Sequence, residues 1–216
     1  PIKVKLGEEV TPALIEEIKP DVVILALGGS LVTPQIPGAD RRNVISGAEL
    51  RQMMSGRLKR FLKPSTVRRL TKYWMPLGKR ATIIGGDIVG CELAEFLARR
   101  GRKVTILESQ PDMNTEMSIT KRWNVMRWLR ENGVTMLKGV TYEEIIPKGV
   151  VITDNHGEKQ TIEADTVVLA GGVEPNLALS RAIEGKVPEV YTIGDCTELR
   201  LINGAVEDGA CAALAI

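Results

Sequence analysis

The stretch from Arg80 to Gly101 constrains the fold of this chain more than any other part of its sequence. It reads RATII, then GGDIVG, then CELAEFLARRG, so an apolar run enters a glycine-rich turn and a helix-forming run leaves it. This order of strand, glycine turn and helix is typical of a βαβ unit that binds a dinucleotide through a G-x-G-x-x-G motif. The six positions of the motif are Gly85, Gly86, Asp87, Ile88, Val89 and Gly90.

Small residues are needed in this motif for steric reasons. The first glycine allows a tight bend, the middle one lets a pyrophosphate approach the backbone, and the last lets the helix pack closely on the strand. The N-terminal end of the following helix carries a partial positive charge that attracts an anion. The motif therefore predicts that residues 85–90 bind the pyrophosphate of a dinucleotide. The alternative is a purely structural strand–turn–helix.

An acidic residue stands where the adenosine ribose of such a ligand would be recognised. Glu108 ends the next apolar run, KVTILE, 23 residues after Gly85. An acid about 20 residues beyond the motif typically binds the ribose hydroxyls. A 2′-phosphate would be repelled by this carboxylate, and the following residues SQPDMN contain no Arg or Lys that could hold one. The sequence thus predicts NAD(H) rather than NADP(H).

Asp87 departs from the motif, because it places an acid where the middle glycine is expected. Its position at the start of the helix suits a side-chain cap of the first backbone N–H groups. We predict that the Asp87 carboxylate accepts those N–H groups and repels the pyrophosphate. The alternative is that Asp87 turns towards solvent and leaves the turn open to the ligand.

The rest of the chain alternates strand-like and helix-like runs, which predicts an α/β fold. IKVKLGEEV reads as a strand, Thr11 and Pro12 as the start of a short helix, and DVVILALGG as a buried parallel strand. A helix over about 115–131 ends at Asn132-Gly133, an antiparallel meander follows, and TVVLA and EVYTI read as further strands. We expect a Rossmann-like three-layer dinucleotide-binding fold with a small antiparallel meander, plus part of a second Rossmann-like FAD domain.

Composition and cysteine spacing argue against several other classes of protein. The 216 residues are 44% hydrophobic and 26% charged, which is ordinary for a globular protein, and no apolar run reaches the ~20 residues of a membrane span. Cys91, Cys196 and Cys211 form no C-x-x-C pair, so we expect no disulfide framework, thiol–disulfide redox centre or metal site. We predict three buried, inert cysteines in a cytoplasmic protein without membrane contact.

A basic segment precedes and enters the glycine-turn region. Residues 51–80 contain ten Lys or Arg and no Asp or Glu, and residues 50–74 read as two short helices broken at Pro64. We predict that this segment docks on another domain or packs on this one. No nucleic-acid-binding motif accompanies the charge, so nucleic acid is not an expected partner. His156, the only histidine, falls in a polar turn and is not expected to be catalytic.

Several motifs in fixed order resemble a known family. DVVILALGG followed by PQIPG, GCELAEFLARRGRKVTILE, and DTVVLAGGVEPN followed by VYTIGDC are arranged as in two-dinucleotide flavoproteins, where an NAD(P)H domain interrupts an FAD domain. The sequence is most similar to the C-terminal portion of the 2-enoate reductase and 2,4-dienoyl-CoA reductase group of the old yellow enzyme family. Members of that group join this module to an FMN barrel and a 4Fe-4S cluster.

The resemblance implies roles for further residues. An aspartate after a glycine near the C-terminus binds the ribityl chain of FAD, and one glycine pair in each domain lies near the cofactors. The residues that match are Gly28, Gly29, Gly171, Gly172, Gly194 and Asp195. The helix from about Ala205 would direct its N-terminus at the flavin, and Glu92 matches, less closely, a carboxylate near the nicotinamide. A turn or capping role is the alternative for Asp195.

The domain organisation follows from the same resemblance. A complete FAD domain would carry its own G-x-G-x-x-G motif, and this chain contains none. We therefore expect a fragment in which residues 1–45 and 186–216 are parts of an FAD domain. Residues 46–75 would be a basic helical linker, and residues 76–185 an NAD(H)-binding domain.

The implied function belongs to the intact parent protein. NADH would pass a hydride to FAD, and electrons would continue to an unsaturated carbonyl substrate, with the FMN barrel and the 4Fe-4S cluster outside this chain. No residue of the chain is expected to act as acid, base or nucleophile, because the cofactors carry the chemistry. One alternative is a non-catalytic module that binds a plain adenine nucleotide. Another is a self-standing NADH-dependent flavoprotein reductase.

Overall fold

The computed structural model describes residues 2–32, 34–47, 49–50, 75, 77–115 and 117–216. Its helices are α1 (Pro12–Ile18), α2 (Ile88–Ala98), α3 (Ile119–Glu131), α4 (Ala178–Ala182) and α5 (Leu201–Ala215). Its strands are β1 (Val22–Leu25), β2 (Gly29–Leu31), β3 (Val44–Ser46), β4 (Arg80–Ile84), β5 (Lys103–Glu108), β6 (Thr135–Lys138), β7 (Thr141–Ile146), β8 (Gly149–Thr153), β9 (Lys159–Glu163), β10 (Thr166–Leu169), β11 (Val173–Pro175) and β12 (Glu189–Thr192). The two helices predicted within residues 50–74 lie outside the described residues. The chain divides into two compact units, one of residues 33–172 and one of residues 1–32 with 173–216.

The unit of residues 33–172 is built on a five-stranded parallel sheet. Its strand order is β3-β10-β4-β5-β6, and each neighbouring pair is parallel. Strands β4, β5 and β6 follow one another across the sheet, whereas β10 lies on the other side of β4. The order of strands therefore reverses beside β4. In open parallel sheets, ligands bind at such a reversal, outside the carboxyl ends of the strands.

Helices and the antiparallel meander β7-β8-β9 cover the two faces of this sheet. Successive strand residues point to opposite faces, so the sheet contributes to two separate cores. One core joins Ile83, Ile106 and Val168 to Leu97 and Leu129 of the helices, and the other joins Ile84, Leu107 and Leu169 to Ile145 and Ile152 of the meander. The predicted Rossmann-like three-layer α/β architecture with a small meander is confirmed.

The helices of this unit end where their sequence signals predict. Gly101 and Gly133 follow α2 and α3 with φ of 72° and 73°, the left-handed conformation that closes many helices. The start of α3 was predicted near residue 115 but lies at Ile119. Asn114 has a φ of 54°, which excludes it from a right-handed helix, and Ser118 occupies the N-cap position of α3. None of the described helices combines the length and the apolar character that a bilayer span requires.

The first strand of the sheet comes from a segment that the sequence assigned to the FAD domain. Strand β3 pairs with β10, and just before it Arg41 Nε donates a hydrogen bond of 2.7 Å to the carbonyl of Ile145 in the meander. The compact unit thus spans residues 33–172, whereas the predicted domain boundaries were 45, 76 and 185. A three-residue strand carries too short an apolar pattern to be recognised. The assignment of the two units to FAD and NAD(H) stays a prediction.

The unit of residues 1–32 and 173–216 contains two small strand pairs, β1 with β12 in parallel and β2 with β11 in antiparallel. Its core joins α1 and β1 to the segment after α4 through Ile15, Leu25, Ile183 and Val187. Thr11 Oγ1 accepts the backbone N–H of Leu14 at 3.3 Å, and Pro12 begins α1. The predicted start of this helix is confirmed.

Residues 2–10 do not form the strand predicted from their alternating pattern. They have no regular structure, and Ile2 and Leu6 are 94% and 90% exposed. A strand needs a neighbour to satisfy its backbone hydrogen bonds. No strand of the described residues pairs with this segment, so the alternation alone does not make it a strand.

Candidate functional site

The glycine turn lies at the carboxyl ends of three adjacent strands. Gly85 follows β4 directly, and its N–H donates a hydrogen bond of 2.9 Å to the carbonyl of Leu107 in β5. Its φ is 109°, and a Cβ at this position would lie 2.2 Å from the carbonyl oxygen of Ala170 after β10. Only glycine combines this backbone conformation with so close a neighbour. The predicted tight bend is therefore confirmed.

The last glycine of the motif joins helix α2 to the turn. A Cβ on Gly90 would lie 1.9 Å from the carbonyl oxygen of Gly85, so the first turn of α2 packs directly on the bend. Ile88 and Val89 form that first turn and are partly buried. The N-terminus of an 11-residue helix thus lies at the turn, where its partial positive charge favours an anion. The steric roles of the motif hold, and its contacts with a ligand stay a prediction.

Glu108 is bound to the glycine turn. Its side chain is only 5% exposed. Oε2 accepts the N–H of Gly86 at 2.6 Å, and Oε1 accepts the N–H of Gln110 at 2.8 Å and the hydroxyl of Ser109 at 3.2 Å. A carboxylate has about four lone-pair sites, so these bonds leave acceptor capacity for a ribose hydroxyl. The acid singled out by its spacing lies against the motif.

Asp87 does not cap the helix as predicted. It occupies the N-cap position of α2 with an extended backbone, but its side chain makes no capping hydrogen bond. Burial, and then the negative charge of Glu108, raise the pKa of the Asp87 carboxyl. The expected capping role was wrong. Burial and the charge of Glu108 disfavour the ionised carboxylate that would accept the first N–H groups of the helix best. The alternative required Asp87 to turn towards solvent, but the residue is partly buried.

Two residues of the loop after Glu108 were missed as parts of this site. Met113, 2% exposed, closes the turn from one side, since a Cβ on Gly86 would lie 2.8 Å from its Cγ and 3.1 Å from Glu108 Oε2. Asn114 is 1% exposed and donates through Nδ2 to Met117 Sδ at 3.2 Å. The available signal was Asn114 itself, because asparagine adopts the left-handed backbone more readily than most residues.

The three cysteines and His156, which were predicted to be chemically inert, lie mostly where the sequence predicts. Cys91 is fully buried, and burial is the main cause that raises its pKa to about 12. Cys196 is also buried, but Cys211 is exposed on α5, so the prediction of three buried cysteines was wrong for that residue. All three are unpaired. His156 lies exposed in the turn between β8 and β9, and its backbone N–H binds Asp154 Oδ1 at 2.9 Å.

The remaining site residues of the unit 33–172 lie at the same end of the sheet or on α2. Gly171 and Gly172 follow β10, which pairs with β4 as far as Ile84. Their position beyond the carboxyl end of β10 agrees with a site at the reversal of strand order. Glu92 is exposed on α2. It makes no hydrogen bond or ion pair through its side chain with the part of the chain that the structure describes.

The site residues of the other unit lie in two turns. Gly28 has a φ of 71°, and Gly29 begins β2, where a Cβ would lie 2.2 Å from Val173 Cγ1. Gly194 and Asp195 lie in a short 3-10 helix, Gly194–Cys196. Asp195 Oδ1 accepts the backbone N–H of Arg200 at 3.3 Å. This local hydrogen bond agrees with the alternative, a turn or capping role for Asp195.

Asp208 was missed as a residue that fixes this second turn. Its Oδ2 accepts the N–H of Gly194 at 2.9 Å, and its Oδ1 forms an ion pair with Arg200. The Arg200 guanidinium, and then the N–H of Gly194, lower the pKa of the Asp208 carboxyl. The available signal was weak, because the run of small and apolar residues AVEDGACAALAI contains two adjacent acids, Glu207 and Asp208, and its pattern does not distinguish them.

Comparison with known proteins agrees with this geometry. Residues 3–209 match the model of the pyridine nucleotide-disulphide oxidoreductase family. The chain is 32% identical to the NADH oxidase of Thermoanaerobacter brockii over 209 residues, which cover 96% of this chain and 30% of that protein. It is also 32% identical to the bilirubin reductase of Mediterraneibacter gnavus over 213 residues, with 98% and 30% covered.

A solved structure of a 2-naphthoyl-CoA reductase complex is similar over the whole chain. It superposes with a TM-score of 0.78 at 31% identity, covering 100% of this chain and 30% of the other. The chain therefore spans about a third of the length of these relatives. The family match, the similar structure and the glycine turn bound to Glu108 together show that the chain belongs to the pyridine nucleotide-disulphide oxidoreductase family, whose members bind FAD and NAD(P)H.

Proposed function

We propose that this chain is the nucleotide-binding module of a flavin-dependent oxidoreductase, with NADH at the turn of residues 85–90. The observation that carries the proposal is the hydrogen bond of 2.6 Å between the N–H of Gly86 and Glu108 Oε2. It places the acid suited to a ribose against the turn suited to a pyrophosphate, at the carboxyl ends of neighbouring strands. NADH, when bound, supplies a hydride, and FAD is the acceptor in the intact protein.

The residues of the turn fit a dinucleotide, with one exception. Gly85 and Gly90 have no room for a side chain, so the ligand meets bare backbone and the N-terminus of α2. The buried Glu108 offers its remaining acceptor sites to the ribose hydroxyls. Asp87 is the exception, since its negative charge is adverse to a pyrophosphate. The work of this chain is therefore to bind and orient the nucleotide, not to donate or remove protons.

A preference for NADH over NADPH follows from Glu108. Burying a 2′-phosphate beside this carboxylate should cost on the order of 1–3 kcal/mol, or roughly 5- to 150-fold in affinity. Calorimetric titration of the chain with NADH and with NADPH measures the difference. Glu108→Gln removes the charge but keeps one acceptor oxygen, so it should narrow the gap, whereas Ser109→Ala should leave it unchanged. Equal affinities of the unmodified chain for both nucleotides would refute the role of Glu108.

The unit of residues 1–32 and 173–216 is proposed to contact FAD. Gly28, Gly29, Gly194 and Asp195 are the residues that resemble FAD contacts. Helix α5 begins at Leu201 and not near Ala205 as expected, and its N-terminus would lie towards the flavin. Several large apolar side chains of this unit are exposed, including Ile24 at 47%, Ile202 at 80% and Val206 at 66%. Exposed apolar surface of this kind commonly marks an interface, which supports contact with further parts of an FAD domain.

The substrate of the intact protein is proposed to be an unsaturated carbonyl compound. The support is the resemblance to the old yellow enzyme-like group, together with the similarity to a 2-naphthoyl-CoA reductase over 30% of that chain. FMN and a 4Fe-4S cluster would then lie in the rest of the parent protein, and its FMN barrel would be a partner of this module. Absorption and metal analysis of the intact parent protein would test this, because a parent without FMN or iron would contradict the assignment.

A second candidate function follows from Glu108, because its remaining acceptor sites suit the adenosine ribose of any adenine nucleotide. A non-catalytic site would bind a plain adenine nucleotide through Glu108 without needing a nicotinamide in place. Titration with ADP and NADH separates the two functions, since a redox module should gain affinity from the nicotinamide half. Oxidation of NADH by the intact parent, abolished by a variant that fails to bind NADH, would exclude the non-catalytic function.

A further inference from the structure

A cavity lies between helix α3 and strand β6, at the edge of the parallel sheet. Its volume is about 340 Å³, within the range of small-molecule sites. Strand β6 pairs with β5 on one side and with no other strand of the described residues. The lining residues are Met113, Arg122, Met126, Arg130, Val134, Met136 and Lys138. Glu108 and residues 85–90 are not among them, and the only link to the glycine turn is Met113.

The apolar part of the lining consists mainly of methionines. Met113 and Val134 are 2% and 6% exposed, and Met126 and Met136 are partly buried against the core. Methionine side chains are flexible and polarisable, so they adapt to apolar groups of different shape. This part of the cavity suits a short apolar chain or ring rather than a fully hydrated ion.

The polar part of the lining is basic. Among the residues that the structure describes, it contains Arg122, Arg130 and Lys138 and no acid. The carboxylate of Asp112, just outside, accepts a hydrogen bond from Lys138 Nζ at 3.0 Å and pairs with Arg122 Nη2 at 3.3 Å. One carboxylate therefore already binds to two of the three cations. Arg130 forms no ion pair with any residue that the structure describes.

We propose that this cavity binds a small organic anion in which a carboxylate is attached to a short apolar body, such as a medium-chain carboxylic acid. The anionic end meets the basic side chains, as the carboxylate of Asp112 does, and the apolar end meets the three methionines. Three cations opposed by one acid, counted over residues 77–115 and 117–216, leave a surplus positive charge. Inorganic phosphate would leave the apolar lining unused, and a neutral apolar compound would not compensate the surplus positive charge.

The test is a titration of the whole 216-residue chain, labelled with ¹³C at the methionine methyl groups, with octanoate. Three methyl signals, those of Met113, Met126 and Met136, should shift and saturate. Met117, which is buried in the same loop but does not line the cavity, should not. Octanamide has the same chain without the charge and should bind about tenfold more weakly. No nucleotide is present, so failure of NADH binding does not affect the result.

Variants separate this site from general apolar binding. The double variant Arg130→Gln, Lys138→Gln should weaken octanoate binding at least about fivefold, with its fold checked by circular dichroism. Lys121→Gln is the matched control, because Lys121 is exposed on α3 and does not line the cavity. Absence of shifts, equal binding of octanoate and octanamide, equal loss in the control, or shifts spread over all methionines would each overturn the proposal.

Discussion

The carboxylate of Glu108 accepts the backbone N–H of Gly86 at 2.6 Å, although the two residues lie on different strand ends 22 positions apart. The acid assigned to the ribose is therefore also a structural part of the glycine turn. Substitution of Glu108 should affect both the stability of the turn and the recognition of the nucleotide. The two effects can be separated, because stability is measurable without ligand.

Glu108→Ala is expected to destabilise the chain by about 1–3 kcal/mol. The N–H of Gly86 is buried and would lose its acceptor, and an unsatisfied buried donor costs roughly that amount. Thermal unfolding followed by circular dichroism should show a Tm lower by ~2–4 °C for each kcal/mol. Glu108→Gln keeps one acceptor oxygen and should cost less. Glu92→Ala, an exposed acid on α2, is the control and should change stability by less than about 0.5 kcal/mol. A similar effect of Glu108→Ala and Glu92→Ala would contradict the structural role.

Asp87→Asn should stabilise the chain near neutral pH. Burial and the charge of Glu108 raise the pKa of Asp87 in the folded protein, so folding favours its protonated form. The folded state is therefore penalised as the pH rises through that raised pKa. The penalty is absent below the unfolded pKa of about 3.9. We expect a gain on the order of 0.5–1 kcal/mol at pH 7 that disappears near pH 4.

Unfolding curves of both proteins at several pH values measure this gain. Asp112→Asn is a control of opposite sign, since hydrogen bonding to Lys138, and the charges of Lys138 and Arg122, lower the pKa of Asp112. The Asp112 carboxylate stabilises the folded protein above the unfolded pKa, and this stabilisation is lost as the pH falls through the folded pKa. Asp112→Asn should therefore destabilise the chain near neutral pH. The quantity to compare is the difference in unfolding free energy between Asp87→Asn and the parent chain. If this difference is no larger at pH 7 than at pH 4, the predicted penalty is ruled out.

Asp87→Asn should also tighten nucleotide binding. A pyrophosphate at the glycine turn would meet the charge of Asp87, and a repulsion of ~1 kcal/mol or somewhat more corresponds to roughly tenfold in affinity. Calorimetry should therefore give a lower Kd for NADH with Asp87→Asn at pH 7, and a smaller change of Kd between pH 7 and pH 4 than in the parent chain. Unchanged affinity at both pH values would show that Asp87 does not oppose the ligand.

Much of the unit of residues 33–172 could be predicted because its signals are local. The apolar runs before and after the glycine motif determine β4, α2 and β5, and the spacing of Glu108 follows from that unit. Strand β3 could not be predicted, because three residues carry no periodicity and its place is set by pairing with β10. The contacts of Met113 and Asn114 with the turn are likewise tertiary. No pattern in the sequence relates a loop of residues 109–117 to Gly86.

Asp87 shows a different limit of the sequence. Its place in the sequence correctly predicts that Asp87 occupies the N-cap position of α2. The hydrogen bond expected from its side chain is absent. Whether a side chain caps a helix depends on its burial and on nearby charge. Here burial, and the charge of Glu108, which is distant in sequence, disfavour the ionised form of Asp87. Charge pairs across strands are therefore the part of this site that only the structure could provide.

Gly90→Ala should disrupt the turn more than a typical glycine substitution. The added Cβ would lie 1.9 Å from the carbonyl oxygen of Gly85, and backbone would have to move. Overpacking of this kind costs typically about 1–3 kcal/mol. The control is Gly47→Ala, whose Cβ would make ordinary contacts of 3.5 Å with Leu93 and 3.6 Å with Leu169. Denaturant unfolding should show a clear loss for Gly90→Ala and almost none for Gly47→Ala, and equal stability of the two variants would contradict the close packing of α2 on the turn.

The chain produced alone is expected to purify without FAD. Residues 85–90 form its single G-x-G-x-x-G-type turn, and the candidate FAD contacts Gly28, Gly29 and Asp195 belong to no second one. The pyrophosphate of FAD would therefore lack a glycine turn and a helix N-terminus in this chain, which are the features that bind such a group. The measurement is the visible flavin absorbance of the purified protein, before and after incubation with FAD and removal of the excess. A yellow protein with nearly one flavin per chain would show that residues 1–32 and 173–216 bind FAD without further chain, and would contradict the proposal that they are only part of an FAD domain.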